Sequence, residues 1–269
     1  MKKILLILSI MIVNMCAMIS FGEANNSWAI ISSGAWVNPT IRHPRYRESR
    51  DSYDLYISSG VYLFVLNRGI QPVWNASGTS ARQLQSQWSY DLVLNGGYFT
   101  YHRDTNSFQP AWRIVHHMRV IRSMVREFFH RNLDPNLAIA IKYDIWNNKV
   151  WLSRTDIIVP REWLYWFYAW PQLIQSGQIM SHVNARTSHR QRRAVRTFMI
   201  VDMDGQPHLG MTISGYTLSE LARTIQQMRV FYGQYHVVNL DGWSSTSLAA
   251  GARYWNSRAR LPWFFAVGR

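Results

Sequence analysis

Two short polar segments hold the residue types best suited to chemistry, and each follows an apolar run. Asn95-Gly96-Gly97 comes directly after Asp91-Leu92-Val93-Leu94, and Asn239-Leu240-Asp241-Gly242-Trp243-Ser244-Ser245-Thr246 follows Tyr235-His236-Val237-Val238. Loops at the ends of such strands present carboxamide, carboxylate, hydroxyl and bare backbone N–H groups on a rigid support. Glycines let backbone amides approach phosphate oxygens closely, and Ser244, Ser245 and Thr246 add donors, so the pair suits an anionic substrate. Taken singly, each is also an ordinary turn, with Asp241 capping the segment after it.

Other reactive side chains carry less. Glu220 is the fourth residue of Thr217-Leu218-Ser219-Glu220, a capping box, so its carboxylate is expected to return to the first amide of its own helix. The nine histidines lack ligand spacing: His116 and His117 point to different sides in either a helix or a strand, and no His-Glu-x-x-His occurs. His182 and His189 read as acid/base groups or as exposed loop residues. Asp241 and its neighbouring hydroxyls are able to ligate a divalent metal, but nothing in the sequence requires one, or any other cofactor.

Positioning these segments takes strands. Tyr53 to Leu66 alternates as paired strands, and Leu137 to Ile145 with Lys149 to Leu152 reads as a hairpin closed by a two-residue Asn147-Asn148 turn. Trp112 to Phe129 fits either a helical stripe or a hairpin. A strand is expected at Thr197 to Val201 before an Asp204-Gly205 turn, and another at Leu261 to Val267. The clearest helix starts at Thr217, with Leu218, Leu221, Ile225 and Met228 on one face. Strands thus outnumber helices, giving an α+β fold with a mixed, strand-rich sheet core and at least one packed helix.

Lys2 and Lys3 precede an uncharged apolar run that ends at Gly22-Glu23-Ala24, which reads as a signal peptide over 1–24 and predicts an exported, periplasmic or extracellular protein. The one cysteine, Cys16, lies inside it, so no disulfide or thiolate chemistry is expected in the exported chain. No later stretch is long and apolar enough for a transmembrane span. The net charge of +14 favours an anionic partner, and an exported chain without familiar nucleic-acid motifs is not expected to bind nucleic acid. Thirteen Trp and 14 Tyr provide flat faces that fill cores or stack on sugars.

The two polar segments also carry a resemblance, to the phosphodiester glycosidase family. Asn95-Gly96-Gly97-Tyr98-Phe99 is similar to its Asn-Gly-Gly-Phe-Phe signature, and Arg196-Thr197 with Asp204-Gly205 is similar to its Arg-Thr…Asp-Gly hairpin. Gly215-Tyr216-Thr217-Leu218 with Glu220-Leu221-Ala222 resembles its helix start, and Asn239-Leu240-Asp241-Gly242 with Ser244-Ser245-Thr246 its closing loop. Departures occur at Trp243, where the family usually has further glycine, and at Ala169-Trp170-Pro171, where it has Gly-Gly-x-Pro. The resemblance covers about residues 90–268, making 90–269 the main domain and 25–89 a strand-rich extension packed on it. Its register favours the hairpin over Trp112 to Ile121.

What the resemblance implies is cleavage between a sugar's anomeric carbon and a phosphodiester, on a phosphorylated glycan. Ordinary glycoside hydrolysis uses two carboxyl groups, and this chain has only 15 Asp and Glu in all. A sugar phosphate leaves already stabilised as an anion, so N–H and basic donors replace the general acid and one carboxylate suffices. Asp241 is the candidate, as base or as the group facing the oxocarbenium-like centre. Asn95 and Asn239 are expected to hold sugar or phosphate oxygens. By its family match, Arg196 is the phosphate clamp within a run of solvated arginines. Gly96, Gly97, Gly242, Trp243, Ser244, Ser245 and Thr246 line the substrate. A non-catalytic glycan-binding module on the same fold is the alternative.

Overall fold

Strands that are apolar on both faces need cover on both sides, and this chain layers its sheets and helices accordingly. The computed structural model describes residues 29–30, 36–37, 45–102, 107–110, 114–116, 119–122, 139–144, 146–153, 165–184, 191–255 and 260–268; the expected signal segment and His189 lie outside them. In chain order the strands begin with β1 (Ala29–Ile30), β2 (Trp36–Val37), β3 (Arg45–Ser49), β4 (Tyr53–Ser58), β5 (Val61–Leu66), β6 (Ile70–Thr79), β7 (Leu92–Asn95), β8 (Phe99–His102), β9 (Ser107–Pro110), β10 (Ile114–His116) and β11 (Arg119–Arg122). They continue with β12 (Ile139–Asp144), β13 (Lys149–Ser153), β14 (Tyr165–Ala169), β15 (Gln172–Gln175), β16 (Gln178–Ile179), β17 (Thr197–Val201), β18 (Pro207–Thr212), β19 (His236–Asn239), β20 (Leu248–Ala250), β21 (Arg253–Trp255) and β22 (Leu261–Val267). Two α-helices are described, α1 (Ala81–Trp88) and α2 (Leu218–Met228).

Three larger sheets carry the fold. An eight-stranded sheet runs β16-β15-β19-β17-β18-β5-β4-β3, one five-stranded sheet runs β21-β20-β7-β22-β6, and the other runs β11-β10-β14-β12-β13. The fold is α+β and strand-rich as expected, but where a mixed core was expected the described ladders of its sheets are antiparallel. The stretch from Arg45 to Thr79, expected within an extension packed on the main domain, supplies β3, β4 and β5 to the eight-stranded sheet and β6 to the edge of a five-stranded one.

Strand alternation sorts the side chains into layers. Leu55, Phe64, Met199, Val201, Leu209 and Met211 face inward to a central core shared with Leu92, Leu94, Leu248 and Phe265 of one five-stranded sheet and Ile139, Ile141 and Phe167 of the other. On the opposite face of the eight-stranded sheet, Leu63, Phe198, Ile200 and Val237 pack against Leu218, Leu221, Ala222, Ile225 and Met228 of α2. Gly210 lies beneath the Phe198 ring, where a Cβ would come within 2.2 Å of it. Beyond the first five-stranded sheet, Val93, Ala249, Phe264 and Ala266 meet Ala81 and Leu84 of α1.

Local signals explain several boundaries. The Thr217 hydroxyl accepts from Glu220 N at 3.1 Å and Glu220 Oε2 accepts from Thr217 N at 2.9 Å, so the expected capping box is formed and Glu220 is occupied by it. The helix stops at Met228 because Arg229 turns left-handed, at φ 51. The hairpin reading of 112–121 is borne out by β10 and β11. One expectation is corrected: Asp144 pairs with Lys149, so the β12–β13 connection has four residues, not two. Asp144 Oδ1 accepts from Trp146 N at 2.9 Å and Asn147 N at 3.3 Å, an Asx-type turn that ends the ladder early. Among the described residues no helix is long and apolar enough to cross a membrane.

Candidate active site

At one end of the layers, four strand termini converge. β7 ends on Asn95, β19 ends on Asn239, β17 begins at Thr197, and the chain leaves β14 through Trp170 and a cis peptide to Pro171. Pairing brings these ends together: Phe198 lies opposite Asn239, and Trp170 N donates to Asn239 O at 3.2 Å. Polar residues buried here, Asn95, Arg196, Thr197, Asn239, Thr246 and Ser247, are each at most 4% exposed, so most of their hydrogen bonds must be made within the protein.

The two glycine-bearing loops meet directly. Asn95 Nδ2 donates to the Asp241 carbonyl at 2.6 Å and to Thr197 Oγ1 at 3.1 Å, and Asn95 Oδ1 accepts from Ser247 N at 3.0 Å. Asp241 N donates to Gly96 O at 3.3 Å, and the Thr197 hydroxyl also donates to the Asp241 carbonyl. The carboxamide of the first loop therefore sets the backbone of the second. Gly96 has no room for a side chain: its Cβ would lie 2.8 Å from the Trp263 indole. Gly242 is pressed on the Arg196 segment in the same way, 2.8 Å from Val195 O.

Asp241 is half-buried as a residue, yet its carboxyl lies deep enough that burial pushes its pKa up to about 7. The Ser245 hydroxyl and Gly242 N, the latter donating to Oδ1 at 2.9 Å, favour the ionised form and oppose that shift. The result is a single carboxylate that takes or gives a proton near neutrality. Among the described residues no three His, Asp or Glu side chains gather as a metal site.

Asn239 takes a different part from that of Asn95. Its Nδ2 donates to Tyr98 Oη and to the Trp170 carbonyl, both at 2.8 Å, while its Oδ1 is buried without a hydrogen-bond partner. Tyr98 Oη donates to the same carbonyl at 2.9 Å. Burial, with the nearby Asp241 charge, drives the Tyr98 pKa far up, so it stays a neutral phenol. Arg196 is buried; its Nε donates to Tyr216 O at 3.2 Å and its Nη2 to Arg192 O at 2.7 Å, and burial lowers its pKa. Its guanidinium thus ties the Arg192 and Tyr216 backbones together beside Gly242.

Of the expected substrate residues, Gly96, Gly97 and Thr246 are buried, Gly242 and Ser245 half-buried and Ser244 exposed. Trp243 begins a 3₁₀ turn through Ser245; its side chain lies outside the described residues. Sequence reasoning overlooked the Tyr98 hydroxyl, Thr197 and Ser247 as parts of this junction. Two signals were available: Thr197 follows Arg196 in its motif, and Tyr98 puts a hydroxyl where the family signature has Phe.

The phosphodiester glycosidase family profile matches residues 89–263. Among solved structures, the zebrafish N-acetylglucosamine-1-phosphodiester alpha-N-acetylglucosaminidase catalytic domain, auto-inhibited by its pro-peptide, is similar at 14% identity with a TM-score of 0.54, over 91% of this chain and 81% of that one. A hypothetical protein from Synechocystis is similar at 16% identity with a TM-score of 0.49, over 83% of this chain, which spans 61% of that protein. No curated protein matches the chain. With its motif residues brought to one junction and its matched segment running from β7 to β22, the chain belongs to the phosphodiester glycosidase family.

Proposed function

We propose that the protein is an exported hydrolase that cleaves the anomeric C–O bond of a sugar-1-phosphodiester, on a cell-envelope or extracellular phosphoglycan. The observation that carries this reading is the junction itself, where Asn95 fixes the loop bearing Asp241, whose carboxyl titrates near pH 7. In that state Asp241 takes a proton from the attacking water, or faces the positive anomeric centre as an anion. The departing phosphodiester oxygen leaves as a stabilised anion, and donors of the 243–246 turn that are not spent on Asp241 or the backbone, the exposed Ser244 hydroxyl among them, support it without a second carboxyl acid. The +14 charge draws such a polymer toward the protein.

Incubating the protein with a synthetic N-acetylhexosamine-1-phosphodiester and assaying free reducing sugar tests this. Turnover that disappears in Asp241→Asn supports it. Binding without turnover across pH 5 to 9 would turn the reading to a glycan-binding module, and unchanged turnover in Asp241→Asn would show that another carboxylate acts.

A further inference from the structure

A cavity lies at the other end of the strands that carry the junction. A cleft of ~820 Å³ opens between the β12–β13 hairpin and the far ends of β17 and β19, lined among others by Lys149, Trp151, Asp204, Gln234 and His236. β17 runs from Thr197 at the junction to Val201 at the cleft, a span of roughly 13 Å at ~3.3 Å per residue. The cleft therefore lies apart from the Asp241 junction.

The cleft's hydrogen-bonding chemistry is fixed by its neighbours. His236 Nδ1 lies 3.3 Å from Gln172 Nε2 and 3.4 Å from Ser176 N, and both of these are N–H donors, so Nδ1 accepts and the ring proton resides on Nε2. Burial lowers the His236 pKa and keeps the ring neutral. His236 Nε2–H has no partner among the described residues and is left for a ligand. Asp204 and Gln234 are exposed beside it and add a carboxylate acceptor and an amide that both donates and accepts. Trp151 is 42% exposed at the rim.

Charge narrows the ligand class. In a chain of net +14, this cleft holds two carboxylates, Asp202 and Asp204, against one Lys149. A phosphate is therefore disfavoured, whereas a polyol finds donors, acceptors and an aromatic face for its C–H groups. We propose that the cleft is a second carbohydrate site, which takes a neutral oligosaccharide through hydroxyl hydrogen bonds to His236 Nε2–H, Asp204 and Gln234 with a sugar ring against Trp151. Such a site would hold a glycan at a distance from the bond that Asp241 addresses.

The full chain titrated with four neutral hexasaccharides, from cellulose, chitin, amylose and β-1,3-glucan, tests this by calorimetry and tryptophan fluorescence. At least one is expected to bind. Trp151→Ala, and separately the double change Asp204→Ala with Gln234→Ala, should each weaken that binding at least tenfold; all three residues are exposed, and unchanged thermal melts will verify folding. Asp241→Asn should leave it unchanged. No binding by any of the four, or binding indifferent to both cleft variants, overturns the proposal, as does loss of binding in Asp241→Asn. Because the readout is binding and not turnover, its failure is distinguishable from failure of the hydrolytic reading.

Discussion

The two ends of β17 and β19 are built by opposite rules. At the Asp241 end the polar side chains are buried and bond mainly to protein: Asn95 makes three hydrogen bonds there and Asn239 two through its amide nitrogen. At the His236 end Asp204 and Gln234 stand at the surface of an open cleft, and one imidazole N–H faces no described partner. A buried network holds geometry and shifts proton affinities; an open one leaves its bonds to a ligand. The first arrangement suits a reacting centre and the second suits recognition.

The largest expected effect falls on Asp241. Asp241→Asn keeps the side-chain volume and should lower turnover by about 10³-fold on a sugar-1-phosphodiester. If the group acts as a base, wild-type kcat/KM rises with pH through about 7; a fall across the same range would assign it as an acid. The same shift makes a stability prediction of definite sign. A carboxyl whose folded pKa is raised from 3.8 to about 7 contributes stability that is full below 3.8 and lost as pH rises through 7. The asparagine variant should therefore gain on wild type between about pH 4 and 7. At pH 8 the gain is about 1–3 kcal/mol, discounted for partial exposure, and chemical denaturation at both pH values measures it.

Next in size is Asn95→Ala. It leaves Ser247 N without its partner and takes one of two donors from the Asp241 carbonyl, and about 2 kcal/mol of stability should be lost in urea unfolding. An equally truncating change at the cleft end, Gln234→Ala, should stay within ~0.5 kcal/mol, since Gln234 is exposed. Equal losses at both ends would erase the distinction drawn between them.

Two glycines sharpen it further. A Cβ on Gly96 meets the Trp263 indole at 2.8 Å, so Gly96→Ala should cost about 1–3 kcal/mol through overpacking. Gly233, beside the cleft, has φ +71 and nothing nearer to a Cβ than Met203 Sδ at 4.0 Å. Gly233→Ala therefore pays only for its backbone, about 1 kcal/mol. Thermal melts of the pair compare packing with conformation directly.

The junction was legible in the sequence because its parts are contiguous: each loop directly follows its strand, and a capping box or a glycine announces itself within four residues. Thr217 with Glu220 and Leu261 to Val267 were readable for the same reason. What escaped was long-range. Tyr98 reaches Asn239 across 141 positions and Trp170 across 72, and no local pattern encodes such a meeting. Helix α1 was missed because its eight residues bury only Ala81 and Leu84, too little for an apolar stripe, and only Ser80, accepting from Gln83 N, marks its start. The cleft draws on β12, β13, β15, β17 and β19, so periodicity along any one strand is silent about it.

The smallest expected effect lies beneath the cleft, at Asp202 and His208. His208 Nδ1 accepts from Leu66 N at 3.0 Å, so its proton is on Nε2, which donates to Asp202 Oδ2 at 3.2 Å. Burial alone would raise the Asp202 pKa, but the hydrogen bond from His208, with those from Gln206 N and Asp204 N, outweighs it and holds the carboxyl below its ordinary range. A depressed carboxyl stabilises the fold above its unfolded pKa and loses that contribution as pH falls through the folded one. Asp202→Asn should therefore cost about 1 kcal/mol at pH 7 and progressively less toward pH 2. Melts at pH 7, 5, 3 and 2 follow the difference. A gap that stays constant across that range would show that the carboxylate serves the β17–β18 turn through shape alone, and that ionisation is used for structure at neither end of the sheet.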